Sequence, residues 1–245
     1  MKPKLVNSSI ISKNQLTWKV LKVDFAHVSP KNLEFRPGQF VNVTVGDEKY
    51  RAYSIYSDYK ITDKLSIVVE NAHRGLGSDF FNNAAVGDQI SFVGPSGKLK
   101  LMEPYADSLV FFATGTGVSP FISMFYKLVD DGYEGLVKVF VGVREERDVF
   151  FEDLLRDFKK KLPGFEYQVY VSNPTKPIKD KDAKETAKKF TKGRITQVVT
   201  AVLDKVTHYY LCGNPNMVKD ITEILLENEI SEENILREEF SWAAH

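Results

Sequence analysis

One cysteine, Cys212, stands in 245 residues. That excludes an internal disulfide framework and any four-cysteine zinc or iron–sulfur site within this sequence. Net charge is missing as well, since 33 Lys and Arg balance 33 Asp and Glu. Nucleic-acid binding needs a basic excess, so no nucleic-acid partner is expected. No window approaches the ~18 uninterrupted apolar residues that span a bilayer. The first six residues are polar and lysine-bearing, with no apolar leader segment behind them. Together these absences predict a cytoplasmic protein without a membrane span. The four histidines, His27, His73, His208 and His245, lack metal-ligand spacing, so no metal is expected. There is no nucleophile elbow, no internal repeat and no low-complexity tract. The acidic pairs Glu145–Glu146 and Glu238–Glu239 read as solvated faces rather than acid–base pairs.

What is present is globular: 43% hydrophobic and 27% charged residues. Residues 1–103 read as short strands. Positions 16–25 alternate, with Leu16, Trp18, Val20, Leu21, Val23 and Phe25 as candidate inward residues. Positions 40–45 alternate cleanly, and 65–69 form a β-branched run. Turn signals at 36–38, 46–47, 86–88 and 94–97 punctuate them, which argues for a small antiparallel barrel or sandwich. From residue 104 to 245 the rhythm changes. Strands at 109–113, 136–143, 165–171 and 208–211 alternate with helical stretches at 120–129, 150–161, 195–203 and 215–226. That pattern predicts a parallel sheet covered by helices. The lysine-rich stretch 176–192 reads as a solvated loop, with docking of an acidic partner as the alternative.

The strongest chemical signal is F-F-A-T-G-T-G-V-S-P-F at 111–121, an apolar strand running through Gly115, Thr116 and Gly117 into a helix with Pro120 in its first turn. Glycines admit a phosphate close to the backbone, and a helix start offers unpaired N–H groups with partial positive charge. Four further segments join it in order: R-A-Y-S at 51–54, G-L-G-S at 75–78, C-G-N-P-N-M at 212–217, and R-P-G-Q-F at 36–40. As a set these resemble the ferredoxin–NADP reductase family over nearly the whole chain.

The resemblance implies an FAD-binding, Greek-key-like antiparallel barrel at 1–103, followed by an NAD(P)-binding α/β domain at 104–245. It implies that Arg51, Ala52, Tyr53, Ser54, Val69, Arg74, Gly75, Leu76, Gly77 and Ser78 bind FAD. Arg51 would meet the pyrophosphate, for which a planar guanidinium suits better than lysine; Tyr53 would stack on the flavin, and the Ser54 hydroxyl would reach flavin N5. For Gly75 and Ser78 a plain helix cap, with serine at the cap position, is the structural alternative. Thr116, Gly117, Pro120, Gly213 and Met217 are implied to bind the nicotinamide nucleotide at the interdomain cleft. Ser54, Cys212 and Glu239 are implied as catalytic, with Cys212 shaping the site rather than attacking. Either Phe240 or Trp242 would cover the flavin.

For the 2′-phosphate that distinguishes NADP from NAD, Arg144 and Arg194 are the candidate cations, while Asn173 stands where a second arginine is expected, with Lys176 as a substitute. The balance leans to NADP over NAD. The implied activity is electron transfer between NAD(P)H and a ferredoxin or flavodoxin through FAD. The alternatives are the reductase component of an oxygenase, a subunit of a larger electron-transfer complex, and a flavin-binding redox module without turnover.

Overall fold

In-and-out alternation of apolar side chains builds the amino-terminal sheet of the computed structural model, which describes residues 2–47, 49–175 and 190–240. Strands β1 (Lys4–Thr17), β2 (Val20–Ser29), β3 (Phe40–Gly46), β4 (Lys49–Ser54), β5 (Lys64–Glu70) and β6 (Gln89–Ser96) pair antiparallel in the order β4-β3-β6-β1-β2-β5. Just past β4, Ile55 bridges Ile67 of β5, and the Tyr56 N–H donates to the Ser66 carbonyl at 2.8 Å. The two outer strands thus meet and the sheet closes into a barrel. Val6, Val23, Phe25, Val41, Ile67 and Phe92 fill it, each contributing about 1.5–3 kcal/mol by leaving water. Helix α1 (Leu76–Asn83) is anchored on this core by Phe81, whose ring stacks on Phe25 with centroids 6.1 Å apart.

The second sheet is parallel throughout. It consists of β7 (Ser108–Thr114), β8 (Leu136–Val143), β9 (Gly164–Val171), β10 (Phe190–Lys192), β11 (His208–Gly213) and β12 (Ile235–Glu239), in the order β10-β9-β8-β7-β11-β12. Leu109 to Ala113 of β7 are all buried, as a strand covered on both faces requires. Strand order reverses between β7 and β11, the point at which open α/β sheets bind ligands beyond their strand carboxyl ends. Helices α2 (Ser119–Asp130), α3 (Glu152–Lys161) and α4 (Pro215–Glu227) follow β7, β8 and β11. Acidic Glu152 and Asp153 open α3 and Lys159 to Lys161 close it, matching its dipole. Asn214 caps α4 by accepting from the Asn216 N–H, and Pro215 takes the first helical position.

By packing, the chain falls into two compact units, 1–101 with 119–131, and 102–118 with 132–245. Helix α2 therefore packs with the barrel, although chain order places it in the α/β half. The Gly38 N–H donates to Ser123 Oγ at 2.8 Å, and Lys60 pairs with Asp130. Gly38 must be glycine, since its φ is +98° and a Cβ would lie 2.5 Å from the Leu99 carbonyl oxygen.

The barrel and the parallel sheet are as expected, with local corrections. Positions 16–25 are two strands joined at Trp18–Lys19. Thr17 pairs with Val20 across that turn, so Trp18 is 51% exposed rather than inward. The expected helix at 195–203 is a 3-10 helix, Ile195–Val202; six of its eight residues are β-branched, which disfavours a regular α-helix. Strand β12, polar and at the sheet edge, carried no periodic signal.

Candidate active site

Three segments of the first unit converge. Along β4, Arg51 and Tyr53 share one face, while Ser54 points the other way, buried opposite Phe40. The Tyr53 ring meets Phe81 edge-on, with centroids 5.4 Å apart at 84°, and burial holds its phenol far above the ordinary range. Gly77, in the first turn of α1, lies against that ring: a Cβ there would come within 2.1 Å of the Tyr53 hydroxyl and 3.4 Å of Arg51 Cγ. Arg51, Tyr53, Gly77 and Ser78 are thus brought together.

The start of α1 carries no side-chain cap. Gly75, in extended backbone, holds the cap position. Ser78 is not the cap that its residue type suggested. It sits in the first turn, and its hydroxyl turns back to the carbonyls of His73 (2.5 Å) and Gly75 (3.1 Å). The first-turn N–H groups are left for an external acceptor. Arg51 and the exposed Arg74 form no ion pair among the described residues. Uncapped N–H groups, two uncompensated guanidiniums and a glycine kept small by an aromatic ring fit a diphosphate-bearing flavin. Leu76 is 40% exposed beside them, and Ala52 is exposed on β4. Val69 has its side chain in the barrel core.

In the second unit, backbones close on one another at the strand-order switch. The glycine turn is itself a 3-10 helix, Gly115–Val118, running directly into α2. A Cβ on Gly117 would lie 2.3 Å from the Cys212 carbonyl oxygen, and one on Gly213 (φ +133°) 2.3 Å from Thr114 Oγ1. That hydroxyl accepts from the Asn214 N–H at 2.8 Å. Thr116 is half-buried, and Met217, in the first turn of α4, packs in the core; Pro120, in the first turn of α2 and so in the first unit, is buried.

Arg144, Asn173 and Arg194 follow β8, β9 and β10, all exposed at the same edge of the sheet. The Asn173 N–H donates to the Arg144 carbonyl at 2.8 Å, and the Gly193 N–H to the Val171 carbonyl at 3.0 Å. Glu145 and Glu146 are not simply solvated. Glu145 pairs with Arg147, and Glu146 accepts from both the N–H and the hydroxyl of Thr175, stitching two turns of this edge together.

Cys212 is fully buried. Burial, and secondarily the charge of Glu238, push its thiol well up, so it holds no thiolate for attack. Strand pairing sets Cys212 beside Glu238 and Gly213 beside Glu239. Reading Glu238–Glu239 as one solvated face is therefore corrected. Glu239 is exposed, whereas Glu238 is largely buried and pushed up to about 7 by desolvation. Only the pairing of β12 on β11 distinguishes the two; Glu239 is the one that the family resemblance implies. The Phe240 N–H donates to the Gly213 carbonyl at 3.0 Å, so Phe240 stands at the same site. Trp242, Lys176 and most of the 176–192 stretch lie outside the described residues.

The Glu238 shift predicts a pH effect of definite sign. Its folded pKa lies above the ordinary 4.5, so burying the carboxylate costs stability progressively as pH rises from about 4.5 to about 7. Glu238→Gln removes that loss. Its melting temperature, relative to the parent, should rise between pH 4.5 and 7.5 by the equivalent of about 2 kcal/mol. Parallel melting curves across that range would show Glu238 ionising freely.

Comparison with known proteins matches both halves of the chain to known domains. Residues 7–101 match the oxidoreductase FAD-binding domain, and residues 111–223 match the oxidoreductase NAD-binding domain. The electron transfer component of toluate 1,2-dioxygenase from Pseudomonas putida is 30% identical over 97% of this chain and 68% of its own length. The chain belongs to the ferredoxin–NADP reductase superfamily. It is an FAD-dependent oxidoreductase with an FAD-binding and an NAD-binding domain. The propane 2-monooxygenase reductase component of Rhodococcus jostii (strain RHA1) is 24% identical over 92% of the chain and 61% of its own length. Among solved structures, a ferredoxin NADP+ reductase from Neisseria gonorrhoeae with bound FAD and NADP superposes with a TM-score of 0.83. It is 22% identical, covering 97% of this chain and 99% of that one. The Amycolatopsis cytochrome P450 reductase GcoB superposes with a TM-score of 0.87 at 22% identity, covering 99% of this chain and 71% of that one. No helix among the described residues is long and apolar enough to cross a membrane.

Proposed function

We propose that this reductase oxidises NADPH or NADH and delivers electrons singly to a ferredoxin- or flavodoxin-like carrier in the cytoplasm, residues 1–103 serving FAD and 104–245 the nicotinamide nucleotide. What supports this reading is that each unit carries a glycine-lined turn suited to a phosphate: Gly75 to Ser78 at the start of α1 in one, the 3-10 turn Gly115–Val118 beside Gly213 in the other. Bound FAD supplies the step from two-electron to one-electron chemistry. The chain supplies position and charge. Arg51, Arg74 and the first-turn N–H groups of α1 hold the diphosphate, Tyr53 offers a flat face, and Ser54 a hydroxyl. Cys212 shapes the nicotinamide site, and Glu238, half-protonated near neutral pH, is better suited than Glu239 to hold a proton there. Arg144 and Arg194 favour the 2′-phosphate of NADP, with Asn173 between them weakening that preference.

A second reading, the reductase component of an oxygenase, draws on the relatives named for dioxygenase and monooxygenase systems. In either case an iron–sulfur carrier needs ligands that one cysteine does not provide.

Anaerobic absorbance titration with NADPH and then NADH tests the reading. The flavin band should bleach with one stoichiometric equivalent, and the faster nucleotide decides selectivity. A flavin that neither nucleotide reduces would overturn the activity. Tyr53→Ala should loosen FAD by about tenfold, from lost aromatic contact, and slow flavin reduction. Full occupancy at the full rate would move the stacking role elsewhere.

A further inference from the structure

The carboxy-terminal end of α1 is held as firmly as its amino-terminal end is bare. Helix α1 has no basic residue in its own last turn. A cation comes instead from β1: the Lys13 ammonium donates to the carbonyls of Asn82 and Ala84. Beside it, the Asn71 side-chain amide donates to Asn82 Oδ1 at 2.9 Å, and the Asn82 amide returns a bond to the Asn71 carbonyl at 3.2 Å. Gln15 exchanges hydrogen bonds with Asn71 at 3.2 and 3.3 Å. Asn71 is fixed in turn by its own N–H, which donates to the Lys19 carbonyl at 2.8 Å.

We propose that Lys13, Gln15, Asn71 and Asn82 form a clamp that positions α1 for the FAD diphosphate. They are positioning residues, and the inference rests on placing that diphosphate at Gly75–Ser78. An eight-residue helix is too short to be stable by itself, so its direction is set by what it touches. Phe81 pins its middle to the barrel core, and the clamp pins its end. With a pivot and one end fixed, the other end is fixed too, about 12 Å away. The ammonium also satisfies carbonyls that a helix end leaves open, and its charge sits at the negative pole of the dipole. An anion at the opposite pole completes the arrangement.

The test is flavin affinity of the full-length apoprotein, measured by fluorescence quenching with FAD and with riboflavin, which carries no phosphate. Lys13→Met should raise the Kd for FAD about fivefold and leave riboflavin binding unchanged. Asn82→Ala should act in the same direction. Lys13→Arg, which keeps a cation able to donate to carbonyls, should bind FAD as the parent does. Unchanged FAD affinity in Lys13→Met would overturn the clamp, as would an equal loss for riboflavin, which marks general loosening of the barrel. If the parent chain itself bound FAD no better than riboflavin, the phosphate placement would fall and the clamp with it.

Discussion

Alanine at Gly77 is expected to leave the barrel folded and to strip it of FAD. The added Cβ would lie 2.1 Å from the Tyr53 hydroxyl and 3.4 Å from both Tyr53 Cζ and Arg51 Cγ. Both neighbours are side chains, so the backbone keeps its place and the ring gives way. Its freedom is limited, because Phe81 stands edge-on at 5.4 Å and most of the ring is buried. Displacement therefore tilts the face that FAD would meet and shifts the stem of Arg51 beneath the diphosphate. Overpacking of this kind costs about 1–3 kcal/mol. Most of it should appear as lost flavin affinity, about a hundredfold at the upper end, with the apoprotein melting within a few degrees of the parent. A second substitution separates this cause from a general defect. Tyr53→Phe deletes the hydroxyl at the point of collision, so Gly77→Ala with Tyr53→Phe should recover much of the affinity lost by Gly77→Ala alone. No recovery would mean that the collision is not what Gly77 avoids.

What was legible in the sequence was mostly what lies contiguous along the chain. Arg51, Tyr53 and Ser54 occupy one strand, and Gly115 and Gly117 one turn, so their spacing survives into three dimensions unchanged. Strands with two buried faces, such as β7, and those with one, such as β3, announce themselves by composition. The failures have a common physical origin, in that pairing rather than local pattern decides the outcome. Trp18 and Lys19 lack the Asn-Gly signature of a two-residue hairpin, so one alternating run concealed a turn. Ser78 has the residue type of a helix cap, yet Gly75 takes that position and leaves the hydroxyl to bond backwards. Glu238 and Glu239 are indistinguishable as neighbours in sequence. Only the register of β12 on β11 sets one beside Cys212 and the other in solvent. The Lys13–Asn82 contact spans 69 positions, beyond the reach of any motif.

Alanine at Gly117 should produce the opposite phenotype to Gly77→Ala: a protein that retains FAD and cannot be reduced by pyridine nucleotide. Here the added Cβ meets backbone, at 2.3 Å from the Cys212 carbonyl oxygen, 2.7 Å from its carbonyl carbon and 2.7 Å from Gly213 Cα. No rotamer change relieves that. Either the 3-10 turn lifts away from the end of β11, or β11 moves. The latter is opposed on both sides by ladder pairing to β7 and β12 and by the Thr114 hydroxyl that receives the Asn214 N–H. The turn therefore moves and carries the N–H groups of Thr116 and Gly117 away from the phosphate they would hold. An interaction that depends on close backbone approach loses about 2–4 kcal/mol, or between thirty- and a thousandfold in k/KM for NAD(P)H, when its preorganised donors are displaced. The cradle of Arg51, Tyr53 and Gly77 belongs to the other unit, so the flavin spectrum and FAD affinity should stay those of the parent. Dithionite should still bleach the flavin, while stopped-flow reduction by NADPH or NADH becomes slow and unsaturated. If Gly117→Ala were reduced at the parental rate and concentration dependence, the phosphate would not sit on this turn. If it lost FAD as well, the two glycine-lined turns would not serve separate nucleotides. With Gly77→Ala measured alongside, the pair of variants tests whether flavin retention and nicotinamide reactivity are separable in this reductase.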